Sequence, residues 1–209
     1  MKTISFTAES ICAYQRGDKT QTRRVIRVEN TENLEVRDGQ IWHKTSTAGW
    51  VPWLPEMFSP YGQPGDLLSF LEGYQIISAD TRTHRVQVRY LADDFICERE
   101  LTPQEHAKWK ARKFPNRATP GRFMYRSLIR YKPQVLSIRV ERVKDITQED
   151  AKAEGCEGAY TNKKGGPAPW WYDYREPFSR LWDSINAKRG YSWNSNPWVW
   201  VVEFERSDQ

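Results

Sequence analysis

Histidine and cysteine are scarce in this chain of 209 residues, with three of each. Cys12, Cys97 and Cys156 are odd in number and far apart, and no C-x-x-C occurs. That argues against a disulfide scaffold and predicts a reducing, cytoplasmic setting. His43, His84 and His106 show no ligand spacing, which argues against a zinc centre. The beginning of the sequence lacks the apolar run of a signal peptide, and no stretch approaches the length of a membrane span. The expectation is therefore a soluble intracellular protein. The glycines at 155, 158, 165 and 166 lack the strand–GxGxxG–helix context of a dinucleotide loop. Internal repeats and low-complexity linkers are absent too. The length favours one domain, enlarged by insertions and long enough for a sizeable core.

What is present is basic and aromatic. Thirty-two Lys and Arg against 27 Asp and Glu leave a formal charge of +5. A moderate excess suits a negatively charged partner such as RNA or DNA, although many basic proteins bind neither. Ten tryptophans and ten tyrosines supply core and loop anchors, and rings that can stack on bases.

Hydrophobic spacing predicts short strands with helices between them. Thr3–Phe6 reads as a strand, and Thr7 as the cap of a helix bearing Ala8, Ile11, Cys12 and Gln15 on one face, with Tyr14 beside it. Gly17 fits the C′ position that ends such a helix. Thr20–Val28 reads as a strand, and 29–63 as polar loop with an Asp38-Gly39 turn between two extended runs. YGQPGD, residues 61–66, is a turn in which Asp66 steadies the backbone, followed by a buried strand over Leu67–Leu71. Arg85–Tyr90 alternates as a half-buried strand. Residues 93–121 read as a charged insertion with a helix from Pro103 to Lys113. Val135–Val143 is a further strand. A compact helix then runs to Gly155, capped by Thr147 and Asp150. Residues 156–175 form a long Gly-, Pro- and aromatic-rich loop. A helix starting near Pro177 presents Phe178, Leu181, Trp182 and Ile185 at core spacing. Trp198–Phe204 is the last strand. Dispersed short strands with intervening helices predict an α+β class, a small mixed β-barrel with peripheral helices and insertions at about 29–63, 93–121 and 156–175.

The chemistry concentrates in Gly17-Asp18-Lys19-Thr20-Gln21-Thr22-Arg23-Arg24. A hydroxyl, an amine and two guanidinium groups meet on one turn. Thr22 offers a nucleophile. Lys19 can act as its base only if its pKa falls well below about 10.4. Burial and a neighbouring cation, Arg23 or Arg24, both push it down. Glu154 lies in the last turn of its helix, where the dipole disfavours a carboxylate. It is therefore either solvated or held by a partner, and a site lysine would be one. Strand alternation puts Thr20, Thr22 and Arg24 on one face and gives Lys19 the opposite parity, so Lys19 has to reach over from the turn. Each residue also has an ordinary reading: surface charge for Lys19 and Arg24, a β-former for Thr22, a solvent-facing helix residue for Glu154. Glu72 is either a surface residue or part of the ligand-binding mouth. Trp170 and Trp171 either stack a base as a lid or anchor the long loop.

The spacing G-x-K-x-x-T-x-R resembles the signature of ASCH domains, a branch of the PUA-like superfamily that handles RNA and modified nucleosides. Pro64-Gly65-Asp66 before a strand, the strand and helix from Val135 to Gly155, and the terminal Val201-Val202-Glu203-Phe204 follow in the same order. Together they cover roughly half the chain. The resemblance extends to bacterial N4-acetylcytidine amidohydrolases. It implies a catalytic set of Lys19, Thr22 and Glu154, the last because Ile146-Thr147, Ala151 and Glu154 fit the register of the family's glutamate helix. FSRLWDSINAKRG and NPWVWVVEFER resemble longer ASCH-like proteins often encoded by bacteriophages and prophages, which implies a bacterial cytoplasm. The resemblance therefore implies a hydrolase that removes an acyl group from the exocyclic amine of a modified cytidine or related base. Arg23, Arg24, Glu72, Trp170 and Trp171 would contact the nucleoside or RNA, and no cofactor or metal would be needed. Two alternatives stand beside it: an RNA or modified-base reader, and a metal-independent ribonuclease. Fold-level analogy alone does not decide among them.

Overall fold

A computed structural model of the chain describes residues 1–26, 34–37, 40–52, 59–80, 82–161 and 171–205. In chain order the strands and helices begin with β1 (Lys2–Ser5), α1 (Ala8–Arg16), β2 (Gln21–Val25), β3 (Leu34–Arg37), β4 (Gln40–Thr45) and β5 (Gly49–Pro52). They continue with β6 (Leu68–Leu71), β7 (Tyr74–Ala79), β8 (Arg85–Tyr90), β9 (Ile96–Glu100) and α2 (Pro103–Lys110). The rest are β10 (Val135–Arg142), α3 (Gln148–Ala153), β11 (Ala159–Thr161), β12 (Trp171–Asp173), α4 (Arg175–Asn186) and β13 (Trp198–Phe204). The chain is thus mixed α and β, with strands in the majority. Among the described residues they form five separate sheets, none of which closes into a barrel.

The chain divides into two compact units. Of the described residues, unit 1 takes those within 1–17 and 67–134, and unit 2 those within 18–66 and 135–205.

In unit 1, β1 and β6 pair in parallel, with Ile4 opposite Phe70. Thr7 accepts the Ser10 amide at 3.3 Å and starts α1; Gly17 ends it at φ 81°, where an L side chain would be strained. The buried residues of α1 are Ile11, Ala13 and Tyr14, and Tyr14 meets the Phe70 ring edge-on at 4.9 Å. β7, β8 and β9 form an antiparallel meander. Val86, Val88 and Tyr90 are fully buried, as their alternation predicts, and pack with Tyr74, Ile76, Leu101 and Leu128. The span 93–121 supplies β9 and α2 to this unit. Thr102 and Glu105 close a reciprocal capping box, so α2 starts as expected at Pro103 but stops at Lys110.

In unit 2 the main sheet has the order β10–β13–β2, antiparallel throughout. β13 is the central strand, and its residues 198–202 are buried on both faces. One face is covered by α3 and α4 through Val143, Ile146, Ala151, Phe178, Trp182, Val199 and Val201. α4 departs from expectation in two ways. It begins at Arg175 rather than Pro177, and Leu181 and Ile185 are 45% and 41% exposed while Phe178 and Trp182 carry the contact. β3, β4 and β5 form a second meander, and β11 and β12 pair within the span read as loop. The Asp38-Gly39 turn lies outside the described residues. The 61–66 turn is as expected: Asp66 Oδ2 accepts the Gln63 amide at 2.9 Å, and Gly62 and Gly65 both adopt positive φ.

Candidate functional site

Register brings the charged groups of unit 2 to one sheet face. Gln21 sits opposite Glu203, and Arg23 opposite Val201, which in turn faces Arg139. Side chains alternate along a strand, so Lys19, Gln21 and Arg23 share the face covered by α3. There they meet Asp150 and Glu154 from that helix.

Lys19 precedes β2, and its segment is clamped at both sides. Lys19 forms an antiparallel bridge with Glu154, the Thr20 amide donates to Ala153 O at 2.9 Å, and the Phe204 amide donates to Thr20 O at 3.0 Å. Thr147 caps the helix by accepting the Asp150 amide at 3.0 Å, which sets the register that delivers Glu154 at the C-cap. Lys19 Nζ then donates to Glu154 Oε2 at 2.8 Å and to Glu154 O at 2.7 Å. The ammonium thus answers the partial negative charge of the helix end as well as the carboxylate. This is the partner that a carboxylate in the last turn calls for. Both side chains are nearly water-free, 4% and 6% exposed.

Burial pushes the Lys19 pKa below its ordinary 10.5. The Glu154 charge and hydrogen bond oppose that shift, and Arg24 adds to it. Arg24 is half-buried; burial lowers its pKa, while Glu154 and Tyr61 act to raise it. Arg24 Nη1 donates to Arg23 O at 3.2 Å. Cys156 lies in the same electrostatic neighbourhood, and burial, reinforced by Glu154, pushes its thiol up to about 11. It is therefore a neutral thiol at physiological pH.

Arg23 is fully buried and spends its donors on four acceptor groups. Nη2 reaches Glu141 Oε1 at 2.5 Å and Asp150 Oδ2 at 2.8 Å; Nη1 reaches Gln21 Oε1 at 2.5 Å and Glu154 Oε1 at 3.4 Å. Its guanidinium lies 5.9 Å from the Phe178 ring centroid. Arg139 extends the network to Glu141, Asp150 and Glu203. Arg23 is thus a structural hub that also holds the second oxygen of Glu154.

Thr22 is on the opposite parity, level with Val202. It is 0% exposed, and its Oγ1 has no hydrogen-bond partner. A buried hydroxyl left unpaired costs about 1–3 kcal/mol. The structure therefore brings Lys19, Glu154 and Arg23 into contact and leaves Thr22 outside their hydrogen bonds.

The other candidates lie elsewhere. Glu72 belongs to unit 1, where it is 1% exposed and gripped by Arg130 through two bonds, at 2.9 Å and 2.7 Å. Burial raises its pKa against the pull of that arginine. Trp170 lies outside the described residues, and Trp171 is described as the first residue of β12. The Arg23 hub was not foreseen as such. Its signal was available in the odd parity it shares with Lys19 and Gln21. Among the described residues no group of three or more His, Cys, Asp or Glu is arranged to hold a metal ion, and no helix is long and apolar enough to cross a membrane. No family model, curated protein or solved structure matches the chain.

Proposed function

We propose that this chain is a hydrolase of the ASCH type, in the PUA-like class of small barrels, which removes an acyl group from the exocyclic amine of a modified cytidine or related nucleobase. The observation that carries this reading is the buried Lys19–Glu154 pair, in which desolvation lowers the lysine below its ordinary 10.5 and so favours its free amine. The unpartnered Thr22 hydroxyl supports it, because a nucleophile needs a free lone pair.

In the proposed reaction neutral Lys19 takes the proton of Thr22 Oγ1 as that oxygen attacks the acyl carbon. The C–N bond breaks, and the proton passes from Lys19 to the leaving amine. Water then attacks the acyl ester, gives one proton through Lys19 to Thr22, and the carboxylic acid departs. Glu154 orients Lys19, and Arg24 keeps it from being too basic. Lys19 and Thr22 leave the strand on opposite faces, so the step requires Lys19 Nζ to leave Glu154 and reach round the turn to within about 2.6–3.2 Å of Thr22 Oγ1 in the substrate complex. The Lys19 ammonium is buried and engaged by Glu154, which disfavours its use as a phosphate contact on an open surface.

The test is release of cytidine from N4-acetylcytidine, followed by chromatography. Turnover should fall about 100-fold or more in Lys19→Ala and in Thr22→Ala. It should rise with pH along a limb that lies below 10.5, because the active form is the free amine. In Glu154→Gln that limb moves to lower pH, since the carboxylate that raised the lysine is gone. Absence of turnover in the parent protein refutes the proposal.

A further inference from the structure

Between Glu105 and Glu141 the chain carries no aspartate or glutamate. Within that stretch Lys108, Lys110, Lys113, Arg117, Arg122 and Arg126 are exposed, all of them in unit 1. Two large rings stand out with them. Phe114 is 58% exposed and Phe123 57%. Lys113 Nζ lies 5.5 Å from the Phe114 centroid, and Arg122 Cζ lies 4.8 Å from that of Phe123. Burying a phenylalanine contributes about 1.5–3 kcal/mol, so two exposed rings are not explained by the stability of the fold.

The backbone that carries them is not loose. Trp109 Nε1 donates to Pro115 O at 2.9 Å, and Gln75 Nε2 donates to Asn116 O at 2.9 Å. Tyr74 and Thr119 exchange both backbone hydrogen bonds, at 3.0 Å and 2.7 Å. The Tyr74 hydroxyl donates to Phe123 O at 3.2 Å. A Cβ on Gly121 would stand 2.8 Å from the backbone of Leu71 and Glu72, so only glycine allows the chain to lie this close. The segment is lashed along the outer edge of β7. Lys113, Phe114, Pro115, Asn116 and Arg117 line an open cleft of about 410 Å³. Fixed backbone, outward cations and outward rings are the components of a surface that tracks a sugar–phosphate chain and stacks its bases.

We propose that residues 108–126 form a binding surface for a single-stranded polynucleotide, with phosphates on the six exposed cations and bases on Phe114 and Phe123. A duplex keeps its bases in its own stack and offers these rings nothing. A simple polyanion would use the cations alone. The surface is independent of the Lys19–Glu154 chemistry.

Fluorescence anisotropy with labelled U12 and dT12 tests it on the full chain. Either strand should bind at 50 mM salt, and the tighter of the two identifies the preferred sugar. Six phosphate contacts would weaken binding on the order of 300-fold between 50 and 200 mM salt. Phe114→Ala and Phe123→Ala should each weaken it about fivefold or more. The double variant Lys113→Glu/Arg117→Glu should flatten the salt dependence. These side chains are exposed, so circular dichroism of every variant should match the parent. Glu154→Gln should bind as the parent does, which keeps this result separate from the hydrolase reading. No binding at 50 mM salt overturns the proposal. So does a duplex or inorganic polyphosphate that binds as tightly while both phenylalanine variants are unchanged, or a loss of binding in Glu154→Gln.

Discussion

Each unit buries an arginine among carboxylates, and the two clusters differ in what is left over. In unit 1, Arg130 forks onto Glu72, reaches Asp93 at 2.9 Å, and lies 4.0 Å from the Tyr90 ring centroid. Gln15 closes the circle by donating to Asp93 at 2.6 Å and to the Tyr131 hydroxyl at 2.7 Å. One guanidinium there spans two carboxylates, and the hydrogen-bond geometry is closed. In unit 2, Arg23 does the same work for Glu141, Asp150 and Glu154. Beside it, however, stand a lysine lowered by burial and a threonine hydroxyl with no partner. A buried ion pair by itself is weak evidence of a site, because structural networks also shift pKa values. The lowered amine sets the second cluster apart from the first, whereas a buried hydroxyl without a partner occurs in both units, at Thr22 and at Ser69.

Substitution of the hub in the closed cluster should have the largest effect on stability. Arg130→Met strands Glu72 in a dry environment and should destabilise unit 1 by about 3–5 kcal/mol, read as a fall in the denaturation midpoint. Any N4-acetylcytidine turnover should persist wherever the variant is folded. Loss of turnover in folded Arg130→Met would erase the distinction between the two clusters.

Acid should separate them next. In unit 2, burial works against ionising Asp150 and Glu203, but hydrogen bonds and the charges of Arg23 and Arg139 at Asp150, and of Arg139 at Glu203, prevail, so both carboxyls titrate below their ordinary values. Groups lowered in this way stabilise the fold above the unfolded pKa of about 4, and that contribution is lost as pH falls through the lower folded value. In unit 1 the contributions oppose each other. Asp93 is lowered by Arg130 and Gln15 against its desolvation, whereas Glu72 is raised by burial and is less costly once protonated. Hydrogen exchange between pH 5 and pH 3 should therefore show amides near Asp150 and Glu203 losing protection more than those near Glu72. Equal loss in both places would mean the clusters respond to protons alike.

The smallest expected change in stability is at Thr22. Thr22→Val keeps the shape and removes the unpaired hydroxyl, so the protein should gain up to about 1 kcal/mol while losing turnover. A loss of stability instead would mean that the hydroxyl is bonded in solution and is an ordinary core group.

Much of this was legible in the sequence where local rules dominate. Thr7 and Gly17 bracket α1 because a cap oxygen and a left-handed glycine act within a few residues. Val86, Val88 and Tyr90 show their inward face through simple alternation. The helix dipole left Glu154 either solvated or held by a partner such as a site lysine, and Lys19 holds it. Tertiary choices were not legible. β9 carries Glu98, Arg99 and Glu100 and hides its strand under charge, as edge strands do. Phe178, Leu181, Trp182 and Ile185 share the helical spacing of a core face, yet α4 buries only Phe178 and Trp182 of the four. Arg130 belongs to no local pattern. Its meaning depends on Glu72 and Asp93, which are distant in sequence.

The central place of β13 bears on how the chain comes together in time. Residues 198–204 are inserted between β10 and β2, so Gln21 waits for Glu203 before its strand has a neighbour. A ribosome adding about 5–20 residues per second exposes β2 for many seconds before that neighbour emerges. Closure over so long a loop is slow. The sheet that carries Lys19 is thus completed only once β13 has been synthesised.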